Sequence, residues 1–350
     1  MPALLNFFFL ASWTLPIIFI PLIARQYTDN LFLISLILTL YNAVVLFSST
    51  IFGRLGDTVG RKKVVILGFL ISGVVLFAHN FIGDISSLYV LRGLAGIGSG
   101  MIPGPLAALV GSGSVGIFTA SGSFGFMVAS ILAGVLKKDF IIFTTAAFLC
   151  FIGLFLSFFI KEQKKRLSVP LFPYEIIKKN IDVYLPYLIR HSAASAIWAV
   201  FPIYLTTLGV DKFRIGILYA VNPLMQVTFM LLPARLKSSR LITTGLVSSS
   251  LTFLGYAVAP HWGYLIGLQA LLGFSWANLY LGSMKHLLKH NAEQSTATGV
   301  LNSIFGLSGI IGPLLGGLVT FFGLRVLLYF SSFLALCAFI ISRILKGRAG

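Results

Sequence analysis

Apolar runs of about the length of a membrane span alternate along this chain with short connections that hold glycine and charged residues. A helix needs about 20 apolar residues to cross a bilayer, and twelve runs come close to that length. They cover residues 4–24, 31–52, 64–82, 86–109, 114–136, 140–160, 181–209, 214–234, 241–259, 262–288, 294–320 and 324–345. The pattern predicts an all-α membrane protein with twelve transmembrane helices.

The longest connection divides the twelve runs into two sets of six. It covers residues 161–180, is rich in charge and contains two prolines, which is typical of a linker. We therefore predict an N-terminal six-helix half at 1–160, a cytoplasmic linker at 161–180 and a C-terminal six-helix half at 181–350. Because no basic segment precedes the first run, we expect it to be a retained span rather than a cleaved signal peptide.

Three segments of the first half have counterparts in the second half, in the same order. GRLGDTVGRKKVVILG (53–68) resembles ARLKSSRLITTG (234–245), LRGLAGIGSG (91–100) resembles LQALLGFSWA (268–277), and GIFTASGSFGFMVASILAG (116–134) resembles GVLNSIFGLSGIIGPLLGG (299–317). Pseudo-symmetric six-helix halves are typical of transporters, in which the substrate site is expected near the middle of the membrane.

The composition agrees with a membrane protein and narrows its chemistry. Hydrophobic residues make up 57% of the chain and charged residues 10%, whereas soluble domains are about one-quarter charged. The two cysteines, Cys150 and Cys337, lie in apolar runs, so no disulfide, metal cluster or catalytic thiol is indicated. We predict no cofactor, no metal and no enzyme, because the runs contain neither clustered acids nor a nucleophile with its base.

The net charge of +17 is explained by the loops between the runs. With the N-terminus inside, 18 Lys and Arg residues fall in cytoplasmic loops and 6 in outer loops. Because Lys and Arg accumulate on the cytoplasmic side of membrane proteins, both termini are predicted in the cytoplasm and the protein in the cell membrane. The partners expected are therefore the lipid bilayer and a small solute rather than nucleic acid, and the chain is expected to work as a monomer.

The densest charge lies in the connection GRLGDTVGRKKV (53–64), between the second and third runs. Gly53 and Gly60 permit positive φ and close helix approach in a tight hairpin. Asp57 can pair with Arg61, or it can face a helix N-terminus, whose partial positive charge favours anions. The alternative is that Asp57 only shapes a solvent-exposed turn and has no further role.

Residues 53–65 resemble the loop between the second and third helices of the major facilitator superfamily, Gly-x-Leu-small-Asp-basic-x-Gly-basic-basic-x-x-aliphatic; Thr58 departs from the basic position. In the fourth run Arg92 precedes small residues and glycines, which is similar to the family's fourth helix. The resemblance implies two six-helix halves that transport a solute. It also implies that this loop packs against the start of the eleventh run, near 294–298, as an inner gate. We favour gating because the second-half copy at 235–240 has no acid.

Polar side chains inside the runs map the expected substrate path, because a polar group in lipid is costly unless it faces protein or water. The third, sixth, ninth and twelfth runs have few of them and are expected to face lipid. Any single Asn, Gln, His or Trp has the alternative of a purely structural contact with a neighbouring helix. The candidate path residues are Asn42, Arg92, Arg190, His191, Trp198, Asn222, Gln226, Gln269, Trp276 and Asn302.

Two arginines within the runs, and no acid at mid-membrane, decide the expected solute. Arg92 and Arg190 each need an anion, carbonyl groups or water, and all nine acids fall in loops or at the ends of runs. We interpret the chain as a secondary active transporter of a small organic anion or neutral metabolite, with or without a coupled proton. The alternatives are multidrug or hydrophobic-solute efflux by proton antiport, in which the 32 Phe residues would line a pocket, and a non-transporting membrane sensor.

Overall fold

The structure is a computed structural model. It describes residues 1–17, 19–28, 31–110, 114–136, 138–162, 167–210, 212–231 and 236–347. Several charged residues that entered the loop analysis lie outside the described residues. These are Asp29, Lys137, Lys164, Lys165, Arg166, Asp211, Arg235 and Arg348, and with them residues 163–166 of the predicted linker.

Fifteen α-helices account for most of the described residues, together with a short 3-10 helix at His79–Phe81. The α-helices are α1 Pro2–Ile17, α2 Ile20–Ala24, α3 Leu31–Thr58, α4 Arg61–Ala78, α5 Ile85–Met101, α6 Pro103–Ala107, α7 Val115–Val135, α8 Asp139–Ser157, α9 Tyr174–Lys179, α10 Ile181–Thr207, α11 Lys212–Leu231, α12 Ser238–Val258, α13 Tyr264–His290, α14 Gln294–Thr320 and α15 Leu324–Gly347.

Each of the twelve predicted runs holds helix, which confirms the all-α class. The first run is divided into α1 and α2, and the fourth into α5 and α6. The second division falls at Pro103, which has no N–H to continue the hydrogen-bond ladder and is instead suited to the first turn of a new helix. Within the described residues, nine helices are long and apolar enough to cross a membrane; Pro2–Ile17 and Leu218–Leu231 are shorter apolar helices.

The chain packs as two compact units. Unit 1 contains residues 1–176 and 290–306, and unit 2 contains residues 177–289 and 307–350. The first part of α14 therefore belongs to unit 1 and the rest of that helix to unit 2.

In unit 1, α1 packs on α7 and α8, α3 packs on α5, and α4 packs on both α5 and α8. Small residues bring α4 and α5 together: a Cβ at Gly98 would lie 2.7 Å from Ser72 Oγ, and one at Gly68 would lie 3.1 Å from Met101 Cβ. Close backbone approach at such positions is what holds helices together in lipid, where apolar burial gives no advantage. The two contacts also fix the register, with residue 72 opposite residue 98.

In unit 2, α15 packs on α10 and α12, and an aromatic cluster fills the space beneath them. The cluster includes Phe201, Tyr204, Phe253 and Tyr256, all nearly inaccessible to solvent. The Tyr204 hydroxyl donates to the carbonyl of Tyr256, so that this buried polar group is satisfied. These buried rings form the core of unit 2.

Large apolar side chains on the helix surfaces agree with a lipid environment. α8 exposes Phe148 and Phe155, and α15 exposes Phe333, each by about 60% of its surface. Contiguous apolar surface of this kind would favour aggregation in water, whereas lipid tails solvate it. These two helices are the sixth and twelfth runs, which were expected to face lipid.

The α4–α5 contact gives a first test. Gly98→Ala places a methyl group against the backbone of Ser72, so we expect overpacking to lower the free energy of unfolding by about 1–3 kcal/mol. Gly93→Ala on the same helix meets nothing within 4 Å and is the matched control, expected to be neutral or to stabilise by up to about 1 kcal/mol. Thermal denaturation in detergent measures both, and equal melting temperatures would contradict the close contact.

Candidate functional site

The charged connection at 53–64 is mostly helical. α3 continues through Thr58 and α4 starts at Arg61, so Gly53 lies inside a helix and its predicted positive φ is wrong. Gly60 does have a positive φ, of 129°, and makes the turn. At Gly53 the missing side chain serves close approach instead, because a Cβ there would lie 2.8 Å from Ser295 O and 3.1 Å from Gly299 Cα of α14.

Asp57 receives three hydrogen bonds from the first turn of α14. Its Oδ1 accepts from Ser295 N at 3.2 Å, and its Oδ2 accepts from Thr296 N at 2.8 Å and from Thr296 Oγ1 at 2.9 Å. The side chain is 1% exposed. Because α14 begins at Gln294, the carboxylate caps a helix N-terminus, where amide groups are unsatisfied and the helix dipole favours negative charge. The contact falls within the range 294–298 that the family resemblance implies.

Arg61 completes the set of contacts around this carboxylate. Its Nη2 lies 3.0 Å from Asp57 Oδ1, which confirms the predicted ion pair. Its Nη1 donates to Ala108 O at 2.6 Å and to Gln294 Oε1 at 3.3 Å. We call the contacts among Asp57, Arg61, Gln294, Ser295 and Thr296 the latch. The gating role of Gly53, Asp57, Gly60 and Arg61 stays a prediction.

Glu162 belongs to this site and was not predicted from sequence. Its Oε1 accepts from Arg61 N at 2.7 Å and its Oε2 from Lys62 N at 3.1 Å, so a carboxylate from the predicted linker caps α4. Neighbouring linker residues also dock here: Leu167 N donates to Asp57 O at 2.9 Å. The one signal in the sequence is an acid at the start of a strongly basic linker.

Further polar contacts join the first part of α14 to the rest of unit 1. Asn302 Nδ2 donates to Ser49 Oγ at 2.7 Å, and Thr298 Oγ1 donates to Gly104 O at 2.9 Å. Asn42, also a candidate path residue, donates to Leu38 O of its own helix at 3.0 Å. Both asparagines thus have structural bonds through their amide nitrogen.

Arg92 is buried inside unit 1, with 1% of its surface exposed. Its guanidinium carbon lies 4.3 Å from the centre of the Tyr41 ring, a cation–π contact, and the Tyr41 hydroxyl donates to Ser99 Oγ at 2.8 Å. Among the described residues, Arg92 Nε and Nη2 have no hydrogen-bond partner. Two of the three guanidinium nitrogens therefore keep N–H groups that could donate to an oxygen ligand.

Arg190 has a similar environment in unit 2. Its Nε donates to Ser249 Oγ of α12 at 2.8 Å, and its guanidinium carbon lies 5.5 Å from the Phe253 ring and 5.4 Å from the Trp276 ring. Its Nη2 has no hydrogen-bond partner in the part of the chain that the structure describes. The His191 ring lies 4.9 Å from that of Trp276, so three candidate path residues come together here.

The remaining candidates in unit 2 form two further groups. Trp198 packs on Phe201 and Tyr219 at the edge of the aromatic cluster, with ring centres 5.4 Å and 5.0 Å apart. Gln226 Nε2 donates to Asn222 Oδ1 at 2.6 Å on α11.

Gln269 on α13 is fully buried, and neither of its amide atoms has a hydrogen-bond partner among the described residues. An unsatisfied buried amide costs free energy unless a ligand or water meets it. Gln269 is therefore the strongest of the uncharged candidates.

Neither buried arginine has a carboxylate within salt-bridge distance among the described residues, where the ion pair is that of Asp57 and Arg61. The same residues contain no group of three or more His, Cys, Asp or Glu that could hold a metal ion. The chemistry available in both units is therefore that of cationic donors flanked by aromatic faces.

Comparison with known proteins identifies the family. The sequence profile of the Major Facilitator Superfamily matches residues 3–181 and again residues 183–348. The human organic anion transporter MFSD10 (TETRAN) has the same fold, with a TM-score of 0.86 over 97% of both chains at 15% sequence identity.

Two curated relatives are also similar at low identity. The multidrug resistance protein MdtG of Proteus mirabilis (strain HI4320) is 22% identical over 313 residues, which are 80% of this chain and 77% of that protein. The riboflavin transporter RibZ of Clostridioides difficile (strain 630) is 26% identical over 128 residues, which are 34% of this chain and only 28% of RibZ.

The latch can be tested by Asp57→Asn. The substitution removes the negative charge and turns an N–H group toward the amides of Ser295 or Thr296, so we expect the free energy of unfolding to fall by about 1.5–3 kcal/mol. Thr58→Ala is the control, because its hydroxyl donates to two carbonyls of its own helix, Arg54 O and Leu55 O. Thermal denaturation in detergent compares them, and an Asp57→Asn variant as stable as Thr58→Ala would refute the cap.

The cap of α4 by Glu162 gives a separate prediction. Glu162→Gln keeps one acceptor but faces the second backbone amide with an N–H, and should lower the free energy of unfolding by about 1 kcal/mol. Glu175→Gln, an exposed acid in the first turn of α9, should have no measurable effect. Amide hydrogen exchange in the first turn of α4 should rise in the first variant alone; unchanged exchange there would contradict the cap.

Proposed function

The chain belongs to the Major Facilitator Superfamily, and from that premise we propose that it is a secondary active transporter of a small organic anion. The family consists of multi-pass membrane transporters. Within it, alternating access is the expected mechanism, with the N-terminal half 1–160 and the C-terminal half 181–350 as the units that move and 161–180 as their linker.

The observation that carries the proposal is the environment of Arg190. Its charge is buried without a carboxylate, and one terminal nitrogen has no hydrogen-bond partner among the described residues. A guanidinium donates to carboxylate, sulfonate or phosphate oxygens in paired bonds, which a neutral solute cannot accept as strongly. The flanking Phe253 and Trp276 rings add apolar faces, and this combination suits an aromatic acid.

Arg92 supports the same solute class from unit 1. Its guanidinium has two nitrogens without a partner and an aromatic face beside it, so that both units offer the same chemistry. The amide of Gln269 and the paired amides of Asn222 and Gln226 would orient the polar groups of the solute. Asn42, His191, Trp198, Trp276 and Asn302 complete the proposed path.

The latch supports a gate in this mechanism. Its bonds hold the start of α14 against α3 through a single carboxylate, and bonds of this kind can break and reform within one transport cycle. Gly53 and Gly60 would permit the close packing and the turn, while Asp57 and Arg61 would bias the gate toward its closed state. We further propose that the protein lies in the cell membrane as a monomer with both termini in the cytoplasm.

A lipophilic solute is the second candidate, and the aromatic cluster of unit 2 favours it. Trp198, Phe201 and Tyr219 form a continuous set of ring contacts, which could receive a hydrophobic cation through its π faces. The similarity to a multidrug resistance protein points the same way. The buried arginines oppose it, because a cationic solute would be repelled by both guanidiniums.

Transport in proteoliposomes tests the proposal, with p-aminohippurate as an aromatic carboxylate that crosses lipid slowly. Arg190→Ala should reduce its uptake by about 10- to 100-fold, the loss of one charge-assisted bond. The variant should remain folded because Ser249 Oγ also donates to Gly245 O, so its hydroxyl keeps a partner. Arg325→Ala, an exposed arginine of unit 2, is the matched control.

Three outcomes separate the candidates. Uptake of p-aminohippurate that survives Arg190→Ala removes Arg190 from the site. Uptake of tetraphenylphosphonium in place of p-aminohippurate establishes the lipophilic-cation alternative. A protein that binds p-aminohippurate in a thermal-shift assay and moves neither probe is a sensor.

A further inference from the structure

A set of aromatic ring contacts joins α10 and α13 beside Arg190. Trp276 is at its centre. The Trp276 ring centre lies 4.9 Å from that of His191 and 5.8 Å from that of Tyr187, both on α10. It also lies 5.6 Å from the ring centre of Tyr280, one turn further along α13. The guanidinium carbon of Arg190 lies 5.4 Å from the Trp276 ring, so the charge and the rings are direct neighbours.

Trp276 and Tyr280 are the accessible side chains in this part of α13. From residue 275 to residue 284 these two are partly exposed, and all the others are buried. Because they are four residues apart, they lie on one face of the helix, one above the other. A solute that reaches this face therefore meets both rings.

The geometry of the pair suits a flat ring. The planes of Trp276 and Tyr280 are parallel to within 6°. Aromatic rings favour offset stacking, which adds to the free energy gained by apolar burial alone. A planar arene can continue the pair in this way, whereas a saturated ring of the same size gains only the burial. The Phe253 ring is also near Arg190, but it is 1% exposed and belongs to the core of unit 2.

The cation for an acid group lies next to the same rings. Arg190 Nε donates to Ser249 Oγ at 2.8 Å, which orients the guanidinium. Its Nη2 has no hydrogen-bond partner among the described residues. Since 5.4 Å separates the guanidinium carbon from the Trp276 ring, a carboxylate on a short chain could meet Arg190 while the arene that carries it stacks on Trp276 and Tyr280.

We propose that Tyr280 is a specificity-determining residue, which together with Trp276 makes this transporter prefer aromatic carboxylates to saturated carboxylates of the same size. The inference rests on the proposed organic-anion transport and narrows its solute to one subclass. Arg190 acts on the acid group, and Tyr280 acts through ring contact with the arene. Leucine at position 280 would keep an apolar contact and lose the stacked face.

The test compares two inhibitors of p-aminohippurate uptake by the full chain in proteoliposomes. Hippurate and N-cyclohexanecarbonylglycine carry the same carboxylate and differ in whether the six-membered ring is aromatic. Hippurate should inhibit at a concentration about 2- to 10-fold lower, the size of a stacking contact. Tyr280→Leu should bring this ratio close to one by weakening hippurate, with inhibition by the saturated analogue unchanged.

Two further variants are the controls. Tyr280→Phe keeps the ring without the hydroxyl and should keep the ratio. Tyr264→Leu removes an exposed tyrosine at the start of the same helix and should also keep it. If Tyr280→Leu does not fold, Tyr280→Met replaces it, because methionine is unbranched and adaptable in packing but has no flat face. The same collapse of the ratio is expected.

Each result decides the inference. A ratio close to one in the original protein, or a ratio that Tyr280→Leu or Tyr280→Met leaves unaltered, overturns the role of Tyr280. The proposed function then stands as long as uptake of p-aminohippurate depends on Arg190. Equal weakening of both inhibitors by the variant also overturns the role, because it indicates a structural effect on the whole site. A protein that moves no p-aminohippurate overturns both.

Discussion

The carboxylate of Asp57 lies near the ends of two helices, whose dipoles act on its negative charge in opposite directions. It lies in the last turn of α3, where the helix dipole disfavours a negative charge, and at the first turn of α14, where the dipole favours it. Because the group is buried, its charge is tolerable only while the amides of Ser295 and Thr296 and the guanidinium of Arg61 surround it. The position of the first part of α14 in unit 1 depends on this balance, and Glu162 extends it to the start of α4.

The two buried arginines show how a membrane protein can bury a positively charged side chain without a carboxylate partner. Arg92 lies over the Tyr41 ring, and Arg190 lies over the Phe253 and Trp276 rings, so that ring faces rather than carboxylates meet the charge. A salt bridge would satisfy the guanidinium and leave little for a solute to gain. Aromatic faces lower the cost of burial and leave N–H groups available to an oxygen ligand.

The sequence predicted the helices well because membrane spans follow directly from the length of apolar runs. The partner of Asp57 near 294–298 came from the family resemblance, since no local pattern connects residues so far apart. The contacts of Glu162 and Ser249 were missed for the same reason. When a cap or hydrogen bond comes from a segment far away in the sequence, no local spacing of residues indicates it. Of the two roles expected for Gly53, close helix approach is confirmed and positive φ is wrong, because the helix continues through this residue.

Three glycines meet where the first part of α14 touches the rest of unit 1. Gly299 of α14 approaches Gly53 of α3, and a Cβ at Gly104 would lie 2.9 Å from Gly299 Cα. Backbone lies directly against backbone at this contact, with no side chain of these three residues between the helices. The contact therefore has few side-chain rotamers to repack, unlike an interior of interlocked side chains. What makes it specific is the set of directed polar bonds beside it, those that Asp57 accepts from Ser295 and Thr296.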